Sequence, residues 1–462
     1  MLRARYRARR LADFARAVRM SRELAARERW PREEVRAFQR RQLSELVTHA
    51  VTLSPLHRER LGDVGEDVEL EQLPTMDRTL LMERWDEVVT DPALRLADVE
   101  AHLEGLERDE LFQDRYRALA SGGTTGQRGV FVFDRGEWST CLAGFLRWSA
   151  LAGIEPRFPR LRVATVSAVS PVHMTARFAE TLDVGVHRLL RLDARAPVDE
   201  LVAALRRFRP DVLSGYPSVL ALLADEQLEG RLSISPWRVS TTSEVRTPEM
   251  EASIVGAWDQ VPYDVYGISE VGILAVDCPH HEGMHVFEDL AIVEVVDADG
   301  RPVPAGQPGE RLLVTNLFNR TLPLLRYELG DLVTIAPEPC ACGRTLRLIS
   351  DVAGRSDDVL RLPGSDGRAV AVHPLALRSP LAGLPELRQY RIVHDPRGLD
   401  VEVVLRPGVE ADAACARIAG MLREQLANLG VAPPPIQARP VDQLPRAPGP
   451  GAKVKLIESR RA

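Results

Sequence analysis

From Val130 onward the chain alternates between two textures. Short β-branched runs, Val130–Phe133, Leu161–Val166 and Asp211–Ser214, are separated by helical segments such as Val198–Phe208 and Ser218–Leu228. Such alternation leaves few architectures open, and it points to a mixed α/β domain with largely parallel strands. Before it, residues 1 to about 60 read as helical, with Phe38, Leu43, Leu46 and Val47 at helical spacing. Leu73-Pro74-Thr75-Met76 breaks that pattern, and a further helical stretch is expected from about Arg78 to Leu106. Ile292–Val296, Arg311–Thr315 and Asp331–Ile335 are strand-like and divided by turns such as Asp299-Gly300 and Pro308-Gly309. A distinct tail begins near Gly354. It carries strands around Gln389–Val393 and Val401–Leu405, a helix from Asp412 to Leu429, and a proline-rich run from Val431 to Gly451 that is expected to loop back toward a site. The 462 residues suffice for two or three domains. The expected division is 1–353, with a helical N-terminal extension over about 1–106 and a β-rich subdomain over about 291–353, followed by a small α+β domain at 354–462.

Charge and composition exclude several classes. A formal net charge of -6 gives no general attraction to nucleic acid or to an anionic membrane. No apolar run approaches the roughly 20 residues that span a bilayer. The arginine-dense N-terminus reads as a solvated amphipathic helix whose positive face is interrupted by Asp13, Glu23 and Glu28; a membrane-surface helix or an organelle presequence is the alternative. Five cysteines, an odd number in a large chain, argue for a reducing cytoplasm over a disulfide framework. Of the 60 basic residues, only Lys453 and Lys455 are lysine.

Four loops carry chemistry. In Ser121-Gly122-Gly123-Thr124-Thr125-Gly126-Gln127-Arg128-Gly129, glycines let backbone approach phosphate, and hydroxyls and amides supply donors to anionic oxygens. No Gly-Lys-Ser/Thr follows, so it is not the kinase-type phosphate loop. In Asp264-Val265-Tyr266-Gly267-Ile268-Ser269-Glu270, an aromatic beside glycine can stack on a purine and a carboxylate can hold magnesium. Arg326-Tyr327-Glu328-Leu329-Gly330-Asp331 and Gly354-Arg355-Ser356-Asp357-Asp358 offer an aspartate for a ribose diol and an arginine for ribose or phosphate. Taken alone, the first is equally a plain flexible turn, and each of the others reads better as a salt-bridged turn.

Together, in this order and spacing, they resemble the adenylate-forming superfamily of acyl-CoA synthetases and peptide-synthetase adenylation domains. Within it, the chain is most similar to the phenylacetate–CoA ligase family and its capsular-polysaccharide-type relatives. Leu73-Pro74, Pro210 to Ser218, Ser243-Glu244, Gly283-Met284-His285 with Glu288-Asp289, and Pro323 to Tyr327 extend the resemblance, which runs from about residue 35 to 459. It implies an α/β fold with a large N-terminal adenylate-forming domain and a small C-terminal lid. It implies activation of a carboxylic acid, aryl or arylacetic, to an acyl-AMP with release of pyrophosphate. Acyl transfer to coenzyme A follows, with an amine or a carrier-protein thiol as the other acceptors.

By the same resemblance, Ser121 to Gly126 wrap the ATP phosphates. Ser243, Glu244, Tyr266 and Gly267 frame the adenine. Ser269 touches the α-phosphate, Glu270 holds Mg2+, Asp331 binds the ribose with Arg355 beside it, and Asp357 is the lid hinge. Lys453, after a small-residue turn, enters the site during adenylation. The acyl pocket draws on Phe145, Trp148, His173 and Tyr216, although Phe145 and Trp148 could equally be core residues one helical turn apart. The chain departs from the pattern at Gln127, where a lysine is usual, at Gly122, where serine is common, and at Ala452, where glycine is expected.

A structural zinc is also expected. Cys278, His285, Cys340 and Cys342 offer three thiols and an imidazole, a known tetrahedral set, and His280 and His281 compete for the nitrogen position. A cytoplasmic enzyme follows, free of nucleic acid and membrane, with a homodimer as one expected state. A non-catalytic nucleotide-binding or zinc-ribbon module is the alternative of another class.

Overall fold

Parallel strands need a crossover of a dozen or more residues, and the chain from Arg162 to Ile268 supplies one between each strand and the next. Arg162–Ser167, Arg188–Asp193, Val212–Gly215, Arg238–Thr242 and Tyr263–Ile268 are separated by helices Met174–Thr181, Val198–Phe208, Pro217–Leu228 and Pro248–Trp258. The helix starts are marked in the sequence: Thr247 accepts from the Met250 amide at 3.4 Å with Pro248 in the first turn, and Asp199 and Glu200 open a helix that closes on Arg206 and Arg207. The five strands are mutually parallel. The last residue of the central strand is Gly215, where a Cβ would meet the Val166 carbonyl at 2.5 Å.

The computed structural model describes residues 2–62, 68–121, 128–355, 358–446 and 453–460, with backbone alone for 2–5 and 7. In it the parallel strands form one half of a nine-stranded sheet. The other half is antiparallel: Gly272–Val276, Met284–Val286, Leu348–Arg355 and Asp331–Ile335. The chain reverses direction through residues 269–271, where Gly272 at φ +97 occupies a conformation that side chains resist. Of the strands expected in a separate β-rich region, Ala291–Val296 and Arg311–Asn316 do form their own sheet with Tyr327–Leu329. Asp331–Ile335 instead extends the large sheet.

Two helical expectations need correction. The stretch from Arg78 to Leu106 is three helices, Arg78–Glu83, Trp85–Val88 and Leu96–Glu104. Asp77 starts the first by capping the Leu80 amide at 2.8 Å, and before the third Asp91 takes the Ala93 amide at 2.9 Å and Asp86 takes the Leu96 amide at 2.7 Å, around Pro92. The first helix, Leu2–Arg27, is not merely solvated. Asp13 is fully buried, donated to by Arg135 at 2.7 Å and by Arg117 at 3.5 Å. Glu28, just beyond the helix, accepts from Arg147 at 2.8 Å and Arg344 at 2.6 Å. Buried charges of this kind are held by ion pairing, not by apolar pattern.

After Arg355 the described chain builds a separate core. Strands Leu387–Asp395, Gly398–Leu405, Ile436–Pro440 and Ile457–Ser459 form a four-stranded sheet, and Leu360–Pro363 pairs with Ala369–Val372. Helix Ala411–Asn428 packs Cys415, Ile418, Leu422 and Leu426 into that core. Among the described residues no helix is long and apolar enough to cross a membrane.

Candidate active site

In open sheets of this kind ligands gather beyond the carboxyl ends of the parallel strands. Here Val212–Gly215 delivers Tyr216, Arg238–Thr242 delivers Ser243 and Glu244, and Tyr263–Ile268 delivers Ser269 and Glu270. A cleft of about 1040 Å3 opens over these ends. It is lined by Ser243, Glu244, Tyr266, Gly267, Ser269 and Glu270, and also by Ser121, Asp331, Arg355 and Lys453. Every described residue expected at the nucleotide therefore faces one space. Gly122, Gly123, Thr124, Thr125 and Gly126, Asp357, the expected hinge residue, and the turn before Lys453 lie outside the described residues. The phosphate loop's mouth is described: the Ser121 amide donates to the Gly129 carbonyl at 2.8 Å, and the Gly129 amide donates to Ser121 Oγ at 2.9 Å.

The electrostatics converge. Tyr266 donates its hydroxyl to Asp331 Oδ2 at 2.8 Å, and the Arg355 guanidinium stands 3.6 Å from the other oxygen. Glu270 is 4% exposed, and burial pushes its carboxyl up to about 7. Lys453 is half-buried; desolvation lowers its ammonium, while Glu244, Asp331 and Glu270 pull the other way. Glu244 is raised by burial and partly restored by its donors, the Val454 amide at 2.7 Å and the Ser218 amide at 3.2 Å. Ser243 sits at φ +70, a left-handed conformation uncommon outside glycine, so its backbone is held in place by its surroundings. Lys455 is engaged elsewhere, 2.8 Å from Asp358.

A second cavity, of about 610 Å3, adjoins the cleft. Phe145, Trp148, His173 and Tyr216 all line it. The two spaces share Ser243, Val265, Gly267, Ile268, Ser269 and Lys453, so a group in the second cavity would meet one in the cleft beside these residues.

No family model matches the chain. A phenylacetate–coenzyme A ligase of Thermus thermophilus is 28% identical over 390 residues, 79% of this chain and 79% of its own. The phenylacetate–coenzyme A ligase of Escherichia coli is 30% identical over 308 residues, 63% of this chain and 66% of its own. This chain belongs to the adenylate-forming, phenylacetate–CoA ligase-like family. The fold agrees: a 2-hydroxyisobutyryl-CoA ligase in its postadenylation state superposes with a TM-score of 0.72 at 19% identity, over 94% of this chain and 91% of that one. The same ligase in its thioesterification state gives 0.58, so the arrangement here lies nearer the postadenylation form.

A second constellation in this family member stands apart from the cleft. The ligand atoms of Cys278, His285, Cys340 and Cys342 lie within 4.8 Å of one another. Cys278 and Cys340 sulfurs are 3.6 Å apart, and Cys342 Sγ is 3.4 Å from His285 Nε2. Tetrahedral zinc with sulfur and nitrogen ligands needs separations of roughly 3.5–3.8 Å. His281 is turned to Asp277 at 2.5 Å, which leaves the nitrogen position to His285.

Sequence reasoning missed three participants. Arg78 lines the cleft facing Glu270, and only its place after the capping Asp77 sets it apart. Arg446 approaches Glu244 at 4.0 Å from the proline-rich segment. Phe14, Val18, Ser21 and Arg22 of the first helix line the second cavity; their spacing is a helical stripe, a signal present in the N-terminal sequence itself.

Proposed function

We propose that this chain is an AMP-forming acid–CoA ligase for an aryl or arylacetic acid. The observation that carries this reading is the junction of the two cavities at Lys453 and Ser269, with Glu270 and Asp331 lining the adjoining cleft. The phenylacetate–CoA ligase names of the relatives support coenzyme A as acceptor.

A carboxylate is a poor electrophile, and joining it to AMP supplies a good leaving group. The acid enters the 610 Å3 cavity, and one carboxylate oxygen attacks the α-phosphorus of ATP. The acyl–O–P bond forms, the bond to the β-phosphate bridging oxygen breaks, and pyrophosphate leaves with that electron pair. Negative charge gathers at the α-phosphorus, so positioned donors and cations do most of the work. The Lys453 ammonium lies in the field of the Glu244, Asp331 and Glu270 carboxylates, which favour its charged form. Ser269 meets the α-phosphate, Asp331 takes the ribose hydroxyls, and Tyr266 gives the adenine an aromatic face. Ser121 and the loop to Gly126 cradle the outer phosphates. A buried carboxylate facing phosphates suits a hard divalent cation, and Glu270 would hold Mg2+, which supplies charge neutralisation on the phosphates. In the second half-reaction, residues 354–462 turn about Asp357. The coenzyme A thiol then attacks the acyl carbonyl, and AMP leaves.

Zinc is part of the same reading. Cys278, His285, Cys340 and Cys342 would hold it with four protein ligands, which leaves no open position for chemistry, so its contribution is to structure. The test of the function is pyrophosphate release from ATP and Mg2+ with a panel of carboxylic acids. Release that depends on an aryl or arylacetic acid is expected; none with any acid leaves a non-catalytic nucleotide-binding module as the better account.

A further inference from the structure

The cavity beside Lys453 has two ends. Its shared lining with the nucleotide cleft fixes where the carboxylate reacts. Phe14, Val18, Ser21 and Arg22 line the cavity and not the cleft, so the first helix faces the part remote from the chemistry. These residues are spaced i, i+4, i+7 and i+8, one face of a helix. The adjacent face, Asp13, Ala17 and Leu24, is buried in the body of the protein. The helix thus has one docked face and one face on the cavity, and the ion pairs from Asp13 and from Glu28 hold it there.

Volume and chemistry narrow the occupant. About 610 Å3 falls mid-range for cavities that take drug-sized ligands, roughly 300–1,000 Å3, which is more room than a single-ring acid fills. The walls carry an aromatic cluster: Phe145 meets Trp148 edge-on at 5.1 Å and Phe178 at 5.9 Å between centroids. Trp148 is 4% exposed, and an aromatic wall of this kind receives a further ring by edge-on or offset stacking.

We propose that the first helix is a wall of the acyl site, and that this site takes an extended aromatic acid with a second ring beyond the first; this rests on the ligase reading above. The Phe14–Val18–Ser21 face sets the length.

The test uses the full chain with ATP and Mg2+ and compares kcat/KM for pyrophosphate release with phenylacetic and (4-benzylphenyl)acetic acid. The two-ring acid should exceed the one-ring acid by about tenfold or more, and Val18→Trp, which fills the wall, should cut that ratio by about tenfold or more; Ser21→Phe gives the same reading if Val18→Trp does not fold. Phenylacetic acid as the preferred substrate overturns this inference and leaves the ligase standing. A length preference unmoved by both wall variants overturns the helix assignment. The absence of release with both acids and with every other aryl or arylacetic acid overturns both readings.

Discussion

Lys453 and Lys455 are two residues apart and do different work. Lys455 reaches Asp358 at 2.8 Å, while Lys453 lines both cavities. Lys453→Ala is expected to lower acyl-AMP formation by about 10²-fold or more, the scale of one lost transition-state donor. The same variant should still convert a supplied acyl-adenylate to thioester. Normal adenylation in Lys453→Ala together with failure in Lys455→Ala would put the catalytic position two residues away. Glu270→Gln keeps the side-chain shape and removes the charge, so Mg2+-dependent pyrophosphate release should fall to background in a folded protein; near-normal release would place the metal on another group. These residues were legible because the tyrosine–glycine–serine–glutamate run and the paired lysines are short, local patterns. Glu244 was legible as a site residue but not for what it touches. Its bond to the Val454 amide spans 210 positions, and no local pattern encodes it.

Among the elements, the Cys/His knuckle and the first helix are joined. Arg344, two residues past Cys342, donates to Glu28 at 2.6 Å, and the Thr345 amide donates to the Glu28 carbonyl at 3.1 Å. One zinc per chain is expected from metal analysis of protein purified without chelator. Stripping it should lower the melting temperature by several degrees, because a closed four-ligand site contributes to folding directly. Well under one zinc, or no thermal effect of a strong chelator, would count against the site. The short helix Pro55–Leu61 offers a pH test. His57 is 2% exposed, with its Nε2 3.0 Å from the Pro323 carbonyl, and burial holds its pKa down at about 4. The folded value lies below the unfolded one, so the unfolded chain binds more protons between them. Stability is therefore present at neutral pH and lost as pH falls from about 6.5 toward 4, by roughly 3 kcal/mol at most. In His57→Gln, urea unfolding across that window should be flatter; an unchanged slope would put the acid sensitivity elsewhere. The parallel strands were readable because β-branched runs announce them. The docking of the first helix was not, because the residues that dock it, Asp13 and Glu28, are charged, and charge on an arginine-rich helix looks like surface. Its partners, Arg117, Arg135, Arg147 and Arg344, lie more than a hundred residues away. The division of Arg78–Leu106 was marked in part by Pro92, between the second and third helices, while the break at Arg84 has neither glycine nor proline to announce it.

At the scale of the molecule, the segment beyond Arg355 carries its own core yet delivers Lys453 into a cleft built by the large sheet. Glu244, just past the end of a strand of the large sheet, holds the tail at Val454, while Asp358, within the segment beyond Arg355, holds Lys455. The Glu244 contact belongs to one arrangement of the two parts, the one nearer the postadenylation form of the structural neighbour. An enzyme that must then admit coenzyme A has to release it, which is why the two half-reactions should respond differently to the same substitution. The most direct measurement is product analysis by mass spectrometry after incubating the protein with ATP, Mg2+, coenzyme A and the best acid of the panel. The account predicts acyl-CoA and AMP in equal amounts, with acyl-AMP accumulating on the protein when coenzyme A is withheld. ADP in place of AMP, or AMP with no acyl-CoA, would contradict it.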